Sequence, residues 1–199
     1  MILKVENIAK AYGKKKVLTN VSFEIQKGKM CGIVGENGSG KSTLMKIIVG
    51  ELKANKGKIS YMGRLGYCPQ DALLFPQLTI YEHFIYFSKA YKINRTDLHE
   101  RCNVLLRQFN FKKYGNEKVA NLSGGTKQKL NLSIALIHQP DLLILDEPYN
   151  GFDWETYMRF WEFTGQLVKS DCSILIVTHF IDKKDSFDAI YELSKGQLK

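Results

Sequence analysis

The chain has 199 residues, of which 44% are hydrophobic and 25% are charged, a mixture typical of a folded globular protein. This composition excludes an intrinsically disordered chain, and the short apolar runs exclude a membrane span, which needs roughly 18 consecutive apolar residues. The formal net charge of +9 predicts an anionic partner, although charge alone does not choose among nucleotide phosphate, acidic lipid, nucleic acid and acidic protein.

The amino terminus and the cysteines bear on the cellular compartment. The first residues, MILKVENIAK, lack the apolar stretch and the cleavage site of a secretory signal peptide. The four cysteines form no CxxC pair and have no histidine at the spacing of a metal site: Cys31, Cys68, Cys102 and Cys172. We therefore expect a cytoplasmic protein with free, mostly buried thiols.

The elements in chain order predict an α/β fold. Residues 2–8 and 17–25 alternate apolar and polar side chains, which predicts half-buried strands. The lysine run at 14–16 between them is more typical of a solvated turn than of a binding patch. Three later runs are apolar throughout, as in parallel strands that are covered on both faces: residues 30–35, 142–146 and 173–178.

A helical pattern interrupts the strands over about residues 77–137. Thr79 followed by Glu82 forms a capping-box pattern, and the run LHERCNVLLRQFNF repeats apolar side chains at helical spacing. Neither an internal repeat nor a flexible linker divides the chain. We therefore expect one domain over residues 1–199, in which a helical subdomain is inserted into an α/β core.

The segment GENGSGKST, residues 35–43, lies between an apolar strand and a helical run and matches the pattern GxxxxGK(S/T). Glycines let the backbone wrap around phosphate groups, whose charge is stabilised by main-chain amides, by the helix N-terminus and by the Lys41 ammonium. Ser42 offers a hydroxyl ligand to Mg²⁺. A chance match arises in about one chain in a hundred of this size, so we interpret the segment as a phosphate loop rather than a glycine-rich turn.

Two other apolar strands end in polar residues. The strand DLLILDEP ends in Asp146 and Glu147, which suggests that Asp146 holds Mg²⁺ through its water shell and that Glu147 polarises the attacking water. The strand SILIVT delivers His179 to the same sheet edge, where the carboxyl ends of parallel strands meet. A strand-end histidine alone is more often structural, but beside a phosphate loop we favour contact with the γ-phosphate.

Together with NLSGG at residues 121–125, these motifs resemble, in order, those of the nucleotide-binding subunit of an ATP-binding-cassette (ABC) transporter. The resemblance covers essentially the whole chain. It implies a P-loop NTPase ABC-ATPase core with an N-terminal antiparallel β subdomain and an inserted α-helical subdomain, which binds ATP and Mg²⁺. Tyr12 corresponds to the adenine-stacking aromatic residue, Gln70 to the Q-loop, Asp153 to the D-loop and His179 to the switch histidine.

The resemblance also implies a role for each matching residue. The ATP-binding set is Tyr12, Gly35, Asn37, Gly38, Ser39, Gly40, Lys41, Ser42 and Thr43. The catalytic set is Glu147, His179 and Gln70. The metal set is Ser42, Gln70 and Asp146. The signature set, which is expected to act on the nucleotide of a second chain, is Leu122, Ser123, Gly124 and Gly125.

The resemblance therefore implies a head-to-tail dimer with two ATP molecules between the subunits. Ser123 can cap the helix that follows it, and the bare amides of Gly124 and Gly125 can meet a γ-phosphate that arrives from outside the chain. Loss of that phosphate on hydrolysis would then open the dimer, so that ATP hydrolysis drives a conformational change.

Two positions depart from the family pattern. Thr126 stands where the family usually has Gln after LSGG, and NGFD at residues 150–153 replaces the usual segment while it retains Asp153. Neither change removes a catalytic group. The intact Glu147 and His179 indicate a hydrolysing site rather than a degenerate one.

These features predict the ATP-hydrolysing subunit of a membrane transporter, peripheral at the cytoplasmic face and driving a separate transmembrane subunit. The coupling helix of that partner would rest between the Q-loop near Gln70 and the helical block at 77–91. Only a short segment follows His179, which leaves no room for the regulatory domain of many importers and favours a bacterial-type exporter. The cargo and the choice between a homodimer and a heterodimer stay open.

Two other classes of protein share some of these sequence features. A non-transport ABC ATPase that acts on the ribosome or on nucleic acid would suit the basic charge, but such proteins carry a second cassette or coiled-coil insertions. An unrelated P-loop kinase does not explain LSGG ahead of the acidic strand. The compact single cassette disfavours a nucleic-acid partner.

Overall fold

The computed structural model describes all 199 residues, which form nine β-strands and five α-helices. The strands are β1 Leu3–Tyr12, β2 Lys15–Ile25, β3 Met30–Val34, β4 Lys56–Tyr61, β5 Leu65–Cys68, β6 Leu142–Asp146, β7 Ser173–Thr178, β8 Ala189–Ser194 and β9 Gln197–Leu198. The helices are α1 Lys41–Ile48, α2 Ile80–Ala90, α3 Arg95–Gln108, α4 Gly124–Leu136 and α5 Trp154–Lys169.

The strands form two sheets of different kinds. β2, β1 and β4 make an antiparallel sheet near the amino terminus. The second sheet has the order β5-β6-β7-β3-β8-β9, and its strands are parallel except for the final β8–β9 hairpin. The carboxyl ends of β3, β6 and β7 therefore lie at one edge, which is where open α/β sheets bind ligands.

The strands β6 and β7 are buried on both faces, which explains their continuous apolar sequence. Successive side chains of a strand point to opposite faces, and β6 shows this clearly. Leu143 and Leu145 belong to one apolar cluster, which also contains side chains of α2 to α5. Leu142 and Ile144 belong to a second cluster, which contains side chains of β1, β2 and α1. The parallel sheet is thus the middle layer between the antiparallel sheet with α1 and the remaining helices.

The inserted helical block has the caps that its sequence predicts. The Thr79 hydroxyl accepts a hydrogen bond from the Glu82 amide, and the Glu82 carboxylate accepts one from the Thr79 amide, which confirms the capping box at the start of α2. The Asn94 side chain caps α3 by one hydrogen bond, which it accepts from the Asp97 amide. The helices α2, α3 and α4 all lie within the range 77–137.

The cysteines, the helices and the first two strands bear on three further expectations from the sequence. All four cysteines are free and buried, and burial raises the pKa of each thiol. None of the helices combines the length and the apolar character that a bilayer crossing requires. The structure extends both amino-terminal strands beyond their predicted bounds, because β1 and β2 form a long hairpin whose turn is at residues 13–14.

Candidate functional site

A cleft of about 740 Å³ opens at the carboxyl edge of the parallel sheet. Most of its lining comes from the phosphate loop, the ends of β6 and β7, and the β1–β2 hairpin. The residues that line it are Tyr12, Lys15, Lys16, Val17, Asn37, Gly38, Gly40, Lys41, Ser42, Thr43, Gln70, Asp146, Glu147, Asn150, His179, Lys195 and Gly196. Residues predicted from five separate segments are thereby brought together in one place.

A second cavity, of about 780 Å³, lies at the opposite edge, near the start of β6 and β7. Its charged side chains include the ion pairs of Arg64 with Asp141 and of Lys27 with Asp171. It contains none of the predicted site residues. The cleft at the carboxyl edge is therefore the candidate site.

The phosphate loop leads from β3 directly into α1. Gly40, the residue before the helix, has a left-handed backbone conformation with φ of 110°, and it offers no side chain to cap the helix. A side chain there would be strained, and its Cβ atom would lie 2.9 Å from Cδ2 of Leu18. The uncapped amides at the start of α1 are consequently left for an anionic ligand.

Lys41 is held inside this loop. Its ammonium donates hydrogen bonds to the carbonyl oxygens of Gly35 at 2.6 Å and of Glu36 at 3.1 Å, and the side chain is largely buried. Of the predicted ATP-binding residues, only Gly35 and Ser39 do not line the cleft. Ser39 is buried, and its hydroxyl would lie 2.8 Å from a Cβ atom placed on Gly35. These two residues therefore lie on the side of the loop that faces away from the cleft, where they support its conformation.

Asp146 and Glu147 lie side by side at the end of β6 and are both buried. Burial, together with the neighbouring charge of Glu147, raises the pKa of Asp146 to about 6, while Lys41 acts in the opposite direction. Glu147 has φ of 47°, in the left-handed region, which is uncommon for a residue with a side chain. Backbone strain of this kind is concentrated at functional sites.

The Glu147 carboxylate is fixed by groups at the end of β7. Its Oε1 accepts hydrogen bonds from the main-chain amide of His179 at 2.8 Å and lies 2.9 Å from the His179 Nδ1. Its Oε2 accepts a hydrogen bond from the Thr178 hydroxyl at 2.8 Å. The imidazole itself is 62% exposed and faces the cleft. The predicted catalytic pair is therefore connected directly.

The mouth of the cleft is more basic than the sequence suggested. Tyr12 is about half exposed there, with the ammonium of Lys10 5.4 Å from its ring centroid. Lys15 pairs with Tyr12 in the hairpin, and Lys16 follows it, so two residues of the run interpreted as a solvated turn also line the cleft. Lys195, in the β8–β9 turn, lines it as well. The hairpin register explains these positions, because it places the start of β2 beside Tyr12.

The signature lies outside the cleft of its own chain. The Ser123 hydroxyl accepts a hydrogen bond from the Thr126 amide at 3.3 Å, which confirms that Ser123 caps α4. Its oxygen also lies 3.0 Å from the hydroxyl of Thr126, so Thr126 contacts Ser123 where the family usually has Gln. A Cβ atom on Gly124 would meet nothing within 4 Å, whereas one on Gly125 would lie 2.5 Å from the Gly151 carbonyl oxygen.

Two buried side chains of α4 contact the catalytic loops, and sequence reasoning missed both. Asn131 donates to the carbonyl oxygen of Pro69 at 2.8 Å, next to Gln70. Gln128 donates to the carbonyl oxygen of Pro148 at 3.2 Å, next to Glu147. Both residues could have been noticed in the sequence, because they place side-chain amides on a helix face that is otherwise apolar, and buried amides need hydrogen-bond partners.

Asp153, which the resemblance assigns to the D-loop, also caps a helix. Its carboxylate accepts a hydrogen bond from the Thr156 amide at 2.7 Å and so caps α5, and this bond is the main reason that its pKa is lowered. The Lys129 ammonium lies 4.0 Å away. Asp153 therefore links the segment after Glu147 to the signature helix.

The sequence is similar to those of known proteins. A family model described as ABC transporter matches residues 18–150, more than half of the chain. The linearmycin resistance ATP-binding protein LnrL of Bacillus subtilis is 30% identical over 210 residues, which cover 99% of this chain and 68% of that protein. The Nod factor export ATP-binding protein I of Burkholderia lata is 33% identical over 204 residues, covering 96% and 67% of the two chains.

Other relatives are much longer than this chain. The ABC transporter G family member 20 of Dictyostelium discoideum is 30% identical over 210 residues, which cover 100% of this chain but only 29% of that protein. The chain thus spans less than a third of one relative and about two thirds of the two bacterial ones.

Solved structures have the same architecture. The ATP-binding subunit of an ABC transporter superposes with a TM-score of 0.95 at 29% identity, covering 100% of this chain and 88% of that one. A dimeric ATP-binding cassette in a post-hydrolysis state, bound to ADP and Pi, has a TM-score of 0.91 at 24% identity over 100% and 97% of the two chains, which shows a shared fold. The predicted family, fold and ATPase activity are confirmed. The chain belongs to the ABC transporter family, in which it is an ATP-binding cassette that hydrolyses ATP.

Proposed function

We propose that this chain, a single nucleotide-binding domain over residues 1–199, powers a membrane transporter as part of a head-to-tail dimer. The observation that carries the proposal is the separation of the signature from the chain's own cleft. Ser123 and Gly124 do not line that cleft, yet Gly124 begins α4 with open space around it. A helix N-terminus with bare amides suits a phosphate that a second subunit presents.

Within one subunit the cleft binds ATP through groups of different kinds. Tyr12 stacks on the adenine ring at the cleft mouth. The amides of residues 35–43 and the start of α1 hold the β- and γ-phosphates, and Lys41 turns its ammonium from the loop carbonyls to the phosphate oxygens. The lysines at the mouth, Lys15 and Lys16, add favourable potential for the anionic nucleotide.

The cleft also offers ligands that fit Mg²⁺. Ser42, Gln70 and Asp146 all line it and present a hydroxyl, an amide oxygen and a carboxylate. Mg²⁺ usually keeps several waters and takes further ligands from substrate phosphates, so a few protein ligands of this kind are enough to hold it. When bound, Mg²⁺ supplies positive charge to the phosphate oxygens during hydrolysis.

Hydrolysis uses the pair at the ends of β6 and β7. Glu147 orients and polarises the attacking water, and its position is fixed by the bonds from Thr178 and His179. The exposed imidazole of His179 contacts the γ-phosphate. Ser123 and Gly124 of the second subunit complete the site, so that turnover requires the dimer.

The surface for a transmembrane partner lies beside the Q-loop. Leu73 is 81% exposed, and Phe75 and Tyr86 are exposed next to each other with ring centroids 5.0 Å apart. An exposed apolar patch of this kind suits the coupling helix of a membrane subunit. A subunit bound there would hold the chain at the cytoplasmic face of the membrane. The names of two relatives, one for linearmycin resistance and one for Nod factor export, favour an exporter.

A mixing experiment tests whether the signature acts on the second subunit. Lys41→Ala disables the phosphate loop and Ser123→Arg blocks the signature, so each variant alone is expected to be inactive. A mixed dimer has one site with an intact phosphate loop and an intact opposing signature, and ATPase activity should return on mixing. If the signature served its own chain, no site in the mixture would be intact and activity would stay absent.

Fractionation distinguishes a transporter from a nucleic-acid ATPase. A tagged chain, expressed in the cells that produce it, should sediment with membranes and purify with a polytopic membrane protein. Changing Leu73 and Phe75 to Ser should release it from membranes while its own ATP binding is retained. Purification with ribosomal RNA instead of a membrane protein would support the alternative function.

A further inference from the structure

His179 begins a stretch, residues 179–182, in which no main-chain group is hydrogen-bonded to another main-chain group. The stretch follows β7 and precedes a short 3₁₀ turn at Lys184–Ser186. Unpaired main-chain groups near a protein core require other partners. Side-chain contacts, rather than main-chain hydrogen bonds, therefore connect this segment, and with it His179, to the rest of the protein.

Tyr149 supplies one of those contacts. It lies two residues after Glu147, and its hydroxyl donates a hydrogen bond to the carbonyl oxygen of Phe180 at 3.2 Å. The Thr178 hydroxyl is also 3.1 Å from that oxygen. However, Thr178 has a single proton and lies 2.8 Å from the charged Glu147 carboxylate, which is the stronger acceptor. Tyr149 is thus the donor that remains for Phe180.

The ring of Tyr149 is anchored in an aromatic cluster on α5. Its centroid lies 5.5 Å from Tyr157, 5.8 Å from Phe160 and 6.1 Å from Trp161. A tyrosine has few side-chain torsions, so a packed ring fixes where its hydroxyl lies. Burial raises the pKa of Tyr149, which keeps the hydroxyl protonated as a donor.

A second tyrosine of the same cluster holds the other end of the segment. The Tyr157 hydroxyl donates to the Asp182 carboxylate. Ile181, which is buried, lies between these two contacts. The Phe180 carbonyl on one side is bonded to Tyr149 in the loop after β6, and the Asp182 carboxylate on the other side is bonded to Tyr157 on α5.

We propose that Tyr149 is a positioning residue of the hydrolytic site, whose hydroxyl fixes the segment that carries His179. The loop after β6 holds this segment twice, through Glu147 at His179 and through Tyr149 at Phe180. Both contacts come from residues within three positions of one another, so the imidazole keeps its place relative to Glu147. This inference rests on the proposed roles of Glu147 and His179.

Tyr149→Phe removes the hydroxyl and keeps the ring in its aromatic cluster. We expect kcat for ATP hydrolysis to fall about fivefold or more, with KM for ATP and the thermal midpoint unchanged. Tyr191→Phe is the matched control, because the Tyr191 hydroxyl also donates to a main-chain carbonyl, that of Glu24 at 3.3 Å, but does not line the cleft. The control should keep the parent kcat. Parent-like kcat in Tyr149→Phe would overturn the proposal.

A double-mutant cycle distinguishes positioning of His179 from a general loss of structure. In a His179→Ala background, Tyr149→Phe should cause no further loss of kcat, since the side chain that it positions is gone. An equal fractional loss in both backgrounds would show that Tyr149 acts by another route and would overturn the proposal. Tyr157→Phe can replace Tyr149→Phe in the same cycle. It should lower kcat in the parent background and cause no further loss of kcat in the His179→Ala background.

The cycle also separates this inference from the function on which it rests. If His179→Ala alone keeps the parent kcat, the assignment of His179 to the γ-phosphate is wrong. If His179→Ala loses activity while Tyr149→Phe does not, the assignment of His179 stands and only the positioning role of Tyr149 fails.

Discussion

Gly125 packs directly on Gly151 of the same chain, so closely that a Cβ atom on Gly125 would lie 2.5 Å from the Gly151 carbonyl oxygen. Gly124, its neighbour in the signature, has open space in the same position. The two glycine positions of LSGG therefore lack a side chain for different reasons. Gly125 accommodates the segment that follows Glu147 in its own chain, whereas Gly124 leaves an exposed helix N-terminus bare.

This difference predicts that two substitutions fail differently. Gly125→Ala should lower the free energy of unfolding by about 1–3 kcal/mol, because the added methyl group overpacks against the Gly151 carbonyl. Gly124→Val should keep the unfolding free energy and the ATP affinity of the monomer but reduce ATP turnover at least about tenfold. Urea denaturation and steady-state ATPase assays measure both. A Gly124→Val variant with normal turnover would contradict a role of the signature in trans.

Sequence reasoning reached the site because each motif stands at the end of an identifiable element. Parallel strands place their carboxyl ends together, so the phosphate loop, Glu147 and His179 could be expected to meet. Local caps such as Thr79 and Ser123 were also predictable, since they depend on residues three positions away.

Contacts between distant segments could not be found in this way. The hydrogen bond from Asn131 to the Pro69 carbonyl depends on how α4 packs against β5, and a polar residue in a helix has no periodic pattern that names its partner. The position of Lys15 in the cleft depends on the register of the β1–β2 hairpin, while a lysine run alone indicates only solvation. Packing and register, rather than local pattern, determine these features.

Glu147→Gln should separate binding from hydrolysis. The amide oxygen of Gln can still accept a hydrogen bond from the His179 amide, so the site keeps its shape, but it is a much weaker base. We expect kcat to fall about 100-fold or more with ATP affinity retained, and a dimer to accumulate in Mg-ATP on size-exclusion chromatography. Glu162→Gln on the exposed face of α5 is the control and should behave as the parent. Hydrolysis at the parent rate would show that Glu147 is not the base.

The capping box at the start of α2 has a measurable contribution to stability. Thr79→Ala removes the acceptor of the Glu82 amide and should lower the free energy of unfolding by about 1 kcal/mol in urea denaturation. Thr96→Ala, at an exposed position inside α3, changes the same side chain without removing a cap and should have a smaller effect. Equal effects of the two variants would show that the box does not stabilise the helix.

His138 connects the helical block to the parallel sheet. Its Nε2 donates a hydrogen bond to the Leu65 carbonyl oxygen at 2.9 Å, and its ring stacks on Tyr91 with centroids 3.9 Å apart. The other ring nitrogen, Nδ1, is buried and has no hydrogen-bond partner. Protonation of Nδ1 would create a buried donor without an acceptor, which the fold disfavours.

This arrangement predicts a loss of stability in mild acid. Burial lowers the pKa of His138 below its ordinary value of 6.5, and the nearby Arg64 and Arg101 act in the same direction. The hydrogen bond to the Leu65 carbonyl and the charge of Asp141 oppose this shift. Above pH 6.5 both the folded and the unfolded states have a neutral imidazole, so His138 adds no pH dependence there. As the pH falls below 6.5 the unfolded state takes up the proton first, and stability is lost until the pH reaches the lowered pKa of the folded state.

His138→Gln tests this sign, because the Gln amide can still donate to the Leu65 carbonyl but takes up no proton. The free energy of unfolding, measured by urea denaturation at several pH values between about 7 and 5, should fall less steeply in this variant than in the parent, by up to about 1.4 kcal/mol per pH unit. His99→Gln, on the exposed face of α3, should keep the slope of the parent. His83, whose pKa burial also lowers, contributes in all three proteins and cancels in the comparison. Equal slopes in His138→Gln and the parent would mean that His138 takes up its proton equally in the folded and unfolded states, and that the buried Nδ1 does not oppose it.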